Sequence, residues 1–179
     1  VNAATSALVA GIMVGQIRAL RRKIRDILGP DESSQRAYST RIDIDAPAKQ
    51  VWDVVTDFAS YPTWNPLLTK VQGKLVVGGD LRVRAAFAPM AVPATVTAVD
   101  KPNRFEWEDH VPGKLLTPVF SVRLLPLPEN RTRVVIAESF TGPLLPILSR
   151  RLDQQMPPLY DAMAEALAQQ VKGGNETLS

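Results

Sequence analysis

The sequence predicts an α+β domain in which a curved antiparallel sheet of about seven strands wraps around a long C-terminal helix, with an extra helix at the N-terminus. Three observations support this fold class. Alternating apolar and polar residues indicate one strand near residue 40 and six more between residues 69 and 140. Short turns join the six later strands, which favours an antiparallel meander. Helical spacing of apolar residues follows the last strand.

The elements can be assigned in order along the chain. The first strand is predicted over residues 38–45, and Pro47 then opens a helix whose inner face holds Val51, Trp52 and Val55. A second short helical stretch, which contains two prolines, covers residues 58–68. The later strands are predicted over residues 69–77, 80–87, 92–99, 104–111, 115–125 and 132–140.

The last helix contains two signals that break helices. Pro157-Pro158 interrupts its apolar repeat and predicts a kink or a restart. Gly173-Gly174 is predicted to end it. We therefore divide the chain into an N-terminal helix and linker over residues 1–35, a ligand-binding domain over residues 36–172 and a flexible tail over residues 173–179.

The N-terminal helix, predicted over residues 3–28, is basic and amphipathic. Residues 1–30 contain five basic side chains and one acidic one, whereas residues 31–179 contain 16 basic and 17 acidic side chains. The basic residues lie on the side of the helix away from the apolar stripe and are candidates for membrane or partner contact: Arg18, Arg21, Arg22, Lys23 and Arg25.

Three roles for this helix remain open from the sequence. It can dock on its own domain or on a second copy, lie on a membrane surface, or bind another protein. Its apolar run over residues 3–15 is too short to span a bilayer, which needs about 20 residues. It also lacks the preceding positive residues of a signal peptide. We expect a cytoplasmic protein, with peripheral membrane contact as the alternative.

The composition excludes several classes of site. The chain has no cysteine and one histidine, His110, so thiolate chemistry and a two-histidine metal site within the chain are excluded. The near-neutral charge of residues 31–179 gives no signature of nucleic-acid binding. No Gly-rich phosphate loop or metal-binding spacing occurs, so we expect no cofactor and no metal.

Three stretches resemble the START/Bet v 1-like (SRPBCC) superfamily, specifically its bacterial polyketide cyclase/dehydrase and lipid-transport group. They are Ile42–Trp52, Phe58–Pro66 and Thr132–Gly142, which leads into Pro143–Pro146. The resemblance covers roughly residues 38–171 and implies a helix-grip fold with an internal cavity. Its members include carriers, binders and cyclases, so the fold alone does not specify a reaction. Many relatives have a His-x-Phe pattern where this chain reads Pro118-Val-Phe120.

Strand alternation and the resemblance together predict which side chains line the cavity. The apolar parity of each strand is taken as the concave face, and the helices contribute from the other side. A solid core is the alternative interpretation. The predicted ligand-binding residues are Trp64, Val83, Phe87, Trp107, Phe120, Ile136, Glu138 and Met163.

Two residues are candidates for acid/base chemistry. Glu138 lies on the apolar parity of the last strand, where a carboxylate must be paired, hydrogen-bonded or protonated. A structural salt bridge to Arg84 or Arg123 is the simpler explanation. His110 is a weaker candidate because it lies on the parity opposite to Trp107, beside a turn, where a solvated histidine is expected. Tyr61 and Tyr160 could offer a hydroxyl to the cavity.

These observations favour binding of a hydrophobic small molecule such as a lipid or polyketide-like compound, with transport of that molecule as an extension of this role. The apolar, proline-bearing segment Phe87–Pro93 would then be a portal, or else an ordinary hairpin tip. One alternative is a polyketide cyclase/aromatase-type enzyme with Glu138 as acid/base. Another is an interaction module that acts through the N-terminal helix.

Overall fold

The computed structural model of the protein describes Ala19, residues 35–88 and residues 90–176. The predictions for the N-terminal helix and the last residues of the tail lie outside the described residues. The strands are β1 (Gln35–Ile44), β2 (Leu68–Gly73), β3 (Asp80–Ala85), β4 (Val92–Asp100), β5 (Arg104–Asp109), β6 (Thr117–Leu127) and β7 (Arg131–Thr141). The helices of the domain are α1 (Ala48–Val55), α2 (Tyr61–Trp64) and α3 (Leu145–Glu176).

The seven strands form one antiparallel sheet in the order β1-β7-β6-β5-β4-β3-β2. Strands β2 to β7 follow each other as a meander, and β1 adds to the free edge of β7. The sheet is curled into a half-barrel around α3, so the predicted helix-grip architecture is confirmed. The second strand is shorter than predicted: it ends at Gly73, whose backbone φ of 129° favours glycine.

One face of the sheet forms the core. Alternate residues of β6 and β7 are buried, as the sequence pattern predicts. The buried residues of these strands form a mainly apolar layer that includes one carboxyl side chain, Glu138: Pro118, Phe120, Val122, Leu124, Thr132, Val134, Ile136, Glu138 and Phe140. The opposite face carries exposed pairs such as Asp43 with Arg133, joined by two hydrogen bonds of 2.7 and 2.8 Å.

The two short helices close one end of the sheet. Helix α1 buries Val51, Trp52 and Val55, which confirms the predicted inner face. After α2, the Asn65 side chain accepts hydrogen bonds from the backbone N–H groups of Leu67 and Leu68, at 3.0 and 2.8 Å. This Asx-type turn fixes the start of β2.

Helix α3 crosses the concave face of the sheet and is anchored to β1. The hydroxyls of Tyr38 and Thr40 donate to Asp153 and Asp161, each at 2.6 Å. The helix is continuous through Pro157-Pro158, so no restart occurs there, and it extends past Gly173-Gly174 to Glu176. At Pro157-Pro158, packing of the apolar side of the helix against the sheet outweighs the local helix-breaking signal. None of the described helices combines the length and hydrophobicity that crossing a bilayer requires.

Gly142 makes the connection from β7 into α3. Its φ is 126°, and an added Cβ atom would lie 2.8 Å from the carbonyl oxygen of Leu115. The same carbonyl accepts a hydrogen bond of 3.0 Å from the Leu144 N–H. A glycine at this position therefore lets the chain turn close to the β5–β6 connection, and this turn sets where α3 begins over the sheet.

Candidate functional site

A cavity of about 240 Å³ lies between the concave face of the sheet and the first half of α3. Its walls are mainly apolar and come from β2–β7, the β3–β4 loop and α3. Val83, Trp107 and Phe120 form part of the sheet side, and Leu148 and Leu152 form part of the helix side. The few polar groups in this wall therefore decide what the cavity can recognise.

A cross-strand row runs across the floor of the cavity. Trp107 on β5 is opposite Phe120 on β6, which is opposite Glu138 on β7. The rings of Trp107 and Phe120 stack with centroids 4.6 Å apart and an interplanar angle of 24°. Glu138 is the carboxyl group at the end of this aromatic row.

Glu138 is 9% exposed and is held by a tyrosine of the covering helix. The Tyr160 hydroxyl donates a short hydrogen bond to Glu138 Oε2. Burial raises the pKa of Glu138 to about 8; the Tyr160 hydrogen bond lowers it, and the charge of Asp109 raises it. At neutral pH, Glu138 is therefore predominantly a neutral acid that can donate a proton.

Asp109 is a second carboxyl group in the cavity wall. Burial raises its pKa to about 7, while the nearby indole N–H of Trp107 acts in the opposite direction. Neither Trp107 Nε1 nor Asp109 Oδ1 makes a hydrogen bond of ordinary geometry, although both atoms are buried. The site thus contains two acids whose proton affinities are raised by the same apolar surroundings.

The rim of the cavity contains both apolar and basic side chains. Phe87, in the β3–β4 loop, lines the cavity and is 43% exposed. Across the opening, Arg151 of α3 lines the cavity, is exposed and donates a hydrogen bond of 3.1 Å to Gln155. Met90 and Ile147 are exposed apolar residues of the same loop and of the same helix. This rim connects the cavity to solvent.

The structure brings five of the eight predicted ligand-binding residues to the cavity wall: Val83, Phe87, Trp107, Phe120 and Glu138. Ile136 and Met163 are fully buried but lie in the solid core outside this wall. Trp64 is half-buried and stacks edge-on against Tyr61, also outside the wall. Ligand contact by any of the eight residues stays a prediction.

The remaining candidates also have defined surroundings. His110 is exposed, and its Nε2 lies 2.8 Å from Thr95 Oγ1, away from the cavity wall. The Tyr61 hydroxyl donates to the Val55 carbonyl at 2.6 Å and so is not offered to the cavity. Glu138 forms no salt bridge with Arg84 or Arg123, because its carboxyl faces inward, where Tyr160 is its partner.

Asp109 is the residue that sequence reasoning missed. It has the same strand parity as Phe105 and Trp107, so the alternation that placed those rings inside also places Asp109 there. An aspartate next to a Pro-Gly turn is easily taken for a solvated strand end. Among residues 35–88 and 90–176, no cluster of His, Asp and Glu side chains has the size needed to hold a metal ion.

Residues 35–178 match the family model described as polyketide cyclase/dehydrase and lipid transport. The chain belongs to this family. The match covers the whole sheet, the cavity and α3, and leaves out the basic N-terminal segment. A search of curated protein sequences finds no match.

Solved structures show the same fold at low sequence identity. Norcoclaurine synthase from Thalictrum flavum is 15% identical over 79% of this chain and 97% of its own, with a TM-score of 0.60. The Zhui aromatase/cyclase from Streptomyces sp. R1128 is 17% identical over 78% of this chain and 94% of its own, with a TM-score of 0.59. A hypothetical protein from Helicobacter pylori is 14% identical over 80% of this chain and 90% of its own, with a TM-score of 0.64.

Family and fold together indicate hydrophobic-ligand binding or activity of the polyketide cyclase/aromatase type. Pro118 is buried and lines the cavity. The acids of the cavity wall are Asp109 and Glu138, and Tyr160 is hydrogen-bonded to Glu138.

Proposed function

We propose that this protein binds a hydrophobic small molecule in the cavity and carries it. The mainly apolar wall, open at the Phe87–Arg151 rim, is the observation that supports this function. Removing apolar surface from water provides the driving force, at about 25 cal/mol per Å². A carrier needs only such a cavity and an opening, and both are present.

The volume limits the size of the buried part of the ligand. A dry cavity of about 150 Å³ accepts benzene, and pockets for drug-sized ligands start at about 300 Å³. At about 240 Å³, this cavity suits one or two rings or a short chain. A longer lipid would extend through the rim, past Phe87 and Arg151.

The test is organic extraction of the gently purified protein, followed by mass spectrometry. We expect a stoichiometric hydrophobic compound in the wild type and its loss in Val83→Phe, which fills the cavity from β3. The matched control is Val76→Phe, at a position that is 55% exposed. Equal amounts of the compound in all three proteins would contradict binding in the cavity. Trp107→Ala provides a second variant of the wall.

Catalysis of the cyclase/aromatase type is a second candidate, favoured by the acids Asp109 and Glu138. A general acid or base works best when its pKa lies near the working pH, and those of Asp109 and Glu138 are raised to about 7 and 8. One protonated carboxyl could activate a ligand carbonyl while an ionised one removes a proton. Glu138→Gln should then abolish turnover of a polyketide-like substrate, yet leave carriage of a neutral lipid nearly unchanged.

We also propose that the basic N-terminal segment brings this carrier to a membrane surface. The support is the sequence pattern of residues 3–28, with its apolar stripe and five basic side chains. Deleting residues 1–30 should abolish binding to anionic vesicles while ligand extraction is unchanged. Unchanged vesicle binding after the deletion would contradict this role. A change in oligomeric state would instead favour a homodimer through this helix.

A further inference from the structure

The cavity wall contains two acids, Asp109 and Glu138, and one described cation, Arg151. Among the described residues, the ion pairs within 4 Å join other side chains, and none includes Asp109 or Glu138. Arg151 is at the rim, hydrogen-bonded to Gln155. From the covering helix, the neutral phenol Tyr160 faces Glu138, and Tyr38 of the edge strand stacks on the Tyr160 ring and donates its hydroxyl to Asp153.

Each carboxyl group keeps hydrogen-bonding capacity that the protein does not use. Glu138 is nine-tenths buried in the wall, and of its two oxygens Oε2 accepts from Tyr160, whereas Oε1 has no partner among the described residues. Asp109 Oδ1 is buried without a partner. A buried acceptor such as Asp109 Oδ1 is destabilising when it has no partner, so a ligand that supplies a donor to it would gain binding energy.

The two acids also act on one another. Asp109 is two residues beyond Trp107 on the same face of β5, and Glu138 is two strands away, across Phe120. They are close enough for the charge of Asp109 to oppose ionisation of Glu138. A cation between them would relieve this repulsion, and the stacked rings of Trp107 and Phe120 provide aromatic surface that favours cations.

We propose that the ligand is a hydrophobic amine, bound as its ammonium ion, with Asp109 and Glu138 as the counter-charges. This inference rests on the proposed function, since it names the ligand class for the same cavity. The hydrocarbon part fills the apolar wall, and the ammonium group has enough N–H donors to serve both carboxyls. Binding drives ionisation of acids that are largely protonated in the empty cavity, so protons are released to solvent.

The proton release gives the amine a characteristic pH dependence. The pKa values of Asp109 and Glu138 are raised to about 7 and 8, while a simple alkyl amine stays protonated up to about pH 9 or above. Raising the pH from 6 to 8.5 therefore removes the cost of ionising the acids without discharging the ligand. Amine affinity should rise over this range by about tenfold or more, whereas that of an uncharged analogue should not rise.

Three probes that differ only in their polar group test the proposal by calorimetric titration: 2-naphthylmethylamine, 2-naphthalenemethanol and 2-naphthoate. We expect the amine to bind the wild-type protein at pH 8.5 about tenfold or more tightly than the alcohol, and the carboxylate most weakly. At pH 6.5, where both acids are largely protonated in the empty cavity, heats measured in buffers with different ionisation enthalpies should show proton release for the amine alone.

Variants connect this selectivity to the two acids. Asp109→Asn and Glu138→Gln should each weaken amine binding by about tenfold or more, so that the amine loses its advantage over the alcohol. Circular dichroism of each variant reports correct folding. The control is Glu108→Gln. It makes the same substitution as Glu138→Gln, at a residue next to Asp109 on the opposite face of β5, and should alter neither amine binding nor alcohol binding. If the alcohol binds as tightly as the amine, the amine proposal is overturned and cavity binding stands. If none of the probes binds, both are overturned.

Discussion

Phe105 and Asp109 lie four residues apart on the same face of β5, yet one is in a solid core and the other borders a cavity. Phe105 is fully buried, with ring contacts to Trp52, Phe58 and Trp107 at centroid distances of 5.8, 6.3 and 5.6 Å. Asp109 faces the cavity with one oxygen unpartnered. The difference comes from what covers the strand.

Helix α1 and Phe58 cover the Phe105 end with large side chains that interlock. The start of α3 and the β3–β4 loop cover the Asp109 end and leave about 240 Å³ unfilled. Strand parity therefore determines which side chains point inward, and the covering element determines whether they meet another side chain or a space. The same sheet can thus supply stability at one end and binding at the other.

Truncating one aromatic ring in each region should give the largest contrast. Phe105→Ala should lower the free energy of unfolding by about 3–5 kcal/mol, because a closely packed ring leaves a void. Phe87→Ala, at the half-open rim, should cost less than about 1 kcal/mol. Chemical denaturation of the two variants measures both values. Similar losses would mean that the two ends of the sheet are equally well packed.

The pH dependence of stability should sharpen the contrast between the cavity acids and the surface. Burial raises the pKa of Glu138 from 4.5 to about 8. Between these values the unfolded chain loses this proton while the folded protein retains it, so stability falls as the pH rises. Relative to Glu138→Gln, the wild-type protein should lose on the order of a few kcal/mol from pH 4.5 to 8.

Thermal melts of both proteins from pH 4.5 to 9 measure this difference. Asp109 remains in the variant, and its pKa is raised from 3.8 to about 7, so the variant should keep a smaller slope of the same sign below pH 7. By contrast, hydrogen bonds from Arg133 lower the pKa of Asp43 on the outer face. Parallel curves for wild type and Glu138→Gln would contradict burial of an unpaired acid at the cavity.

Filling the cavity should have the smallest effect on stability. Val83→Phe places a larger side chain into unoccupied space, so its free energy of unfolding should change by less than about 1 kcal/mol. Val134→Phe, the same change on β7 in the solid core, should cost about 1–3 kcal/mol or more. Urea denaturation compares them. An equal cost at both positions would mean that the cavity closes in solution.

Much of the fold is predictable from the sequence because its signals are local. Seven alternating segments, short turns and a final helix specify the meander, and alternation specifies the inner face. The continuity of α3 through Pro157-Pro158 was not predictable, because the packing that stabilises the helix comes from the sheet. Residues far apart in sequence create that packing.

The candidate site was predictable only in part. Glu138 stands out because it is a carboxyl within an apolar row, and five predicted wall residues do reach the cavity. Ile136 and Met163 share the correct faces but meet other side chains, since periodicity shows direction and not the space available. The Glu138–Tyr160 hydrogen bond joins residues 22 positions apart, and no local pattern indicates it.

The central claim, that one region of this domain is hollow and takes up a hydrophobic molecule, is tested most directly by methyl NMR during a titration with naphthalene. We predict saturable shifts at the cavity methyl groups of Val83, Val92, Leu116 and Leu148, with little change at Val134 and Ile136 in the solid core. Shifts confined to the exposed Val76 and Val77, or no saturable shift at any cavity methyl, would contradict the claim.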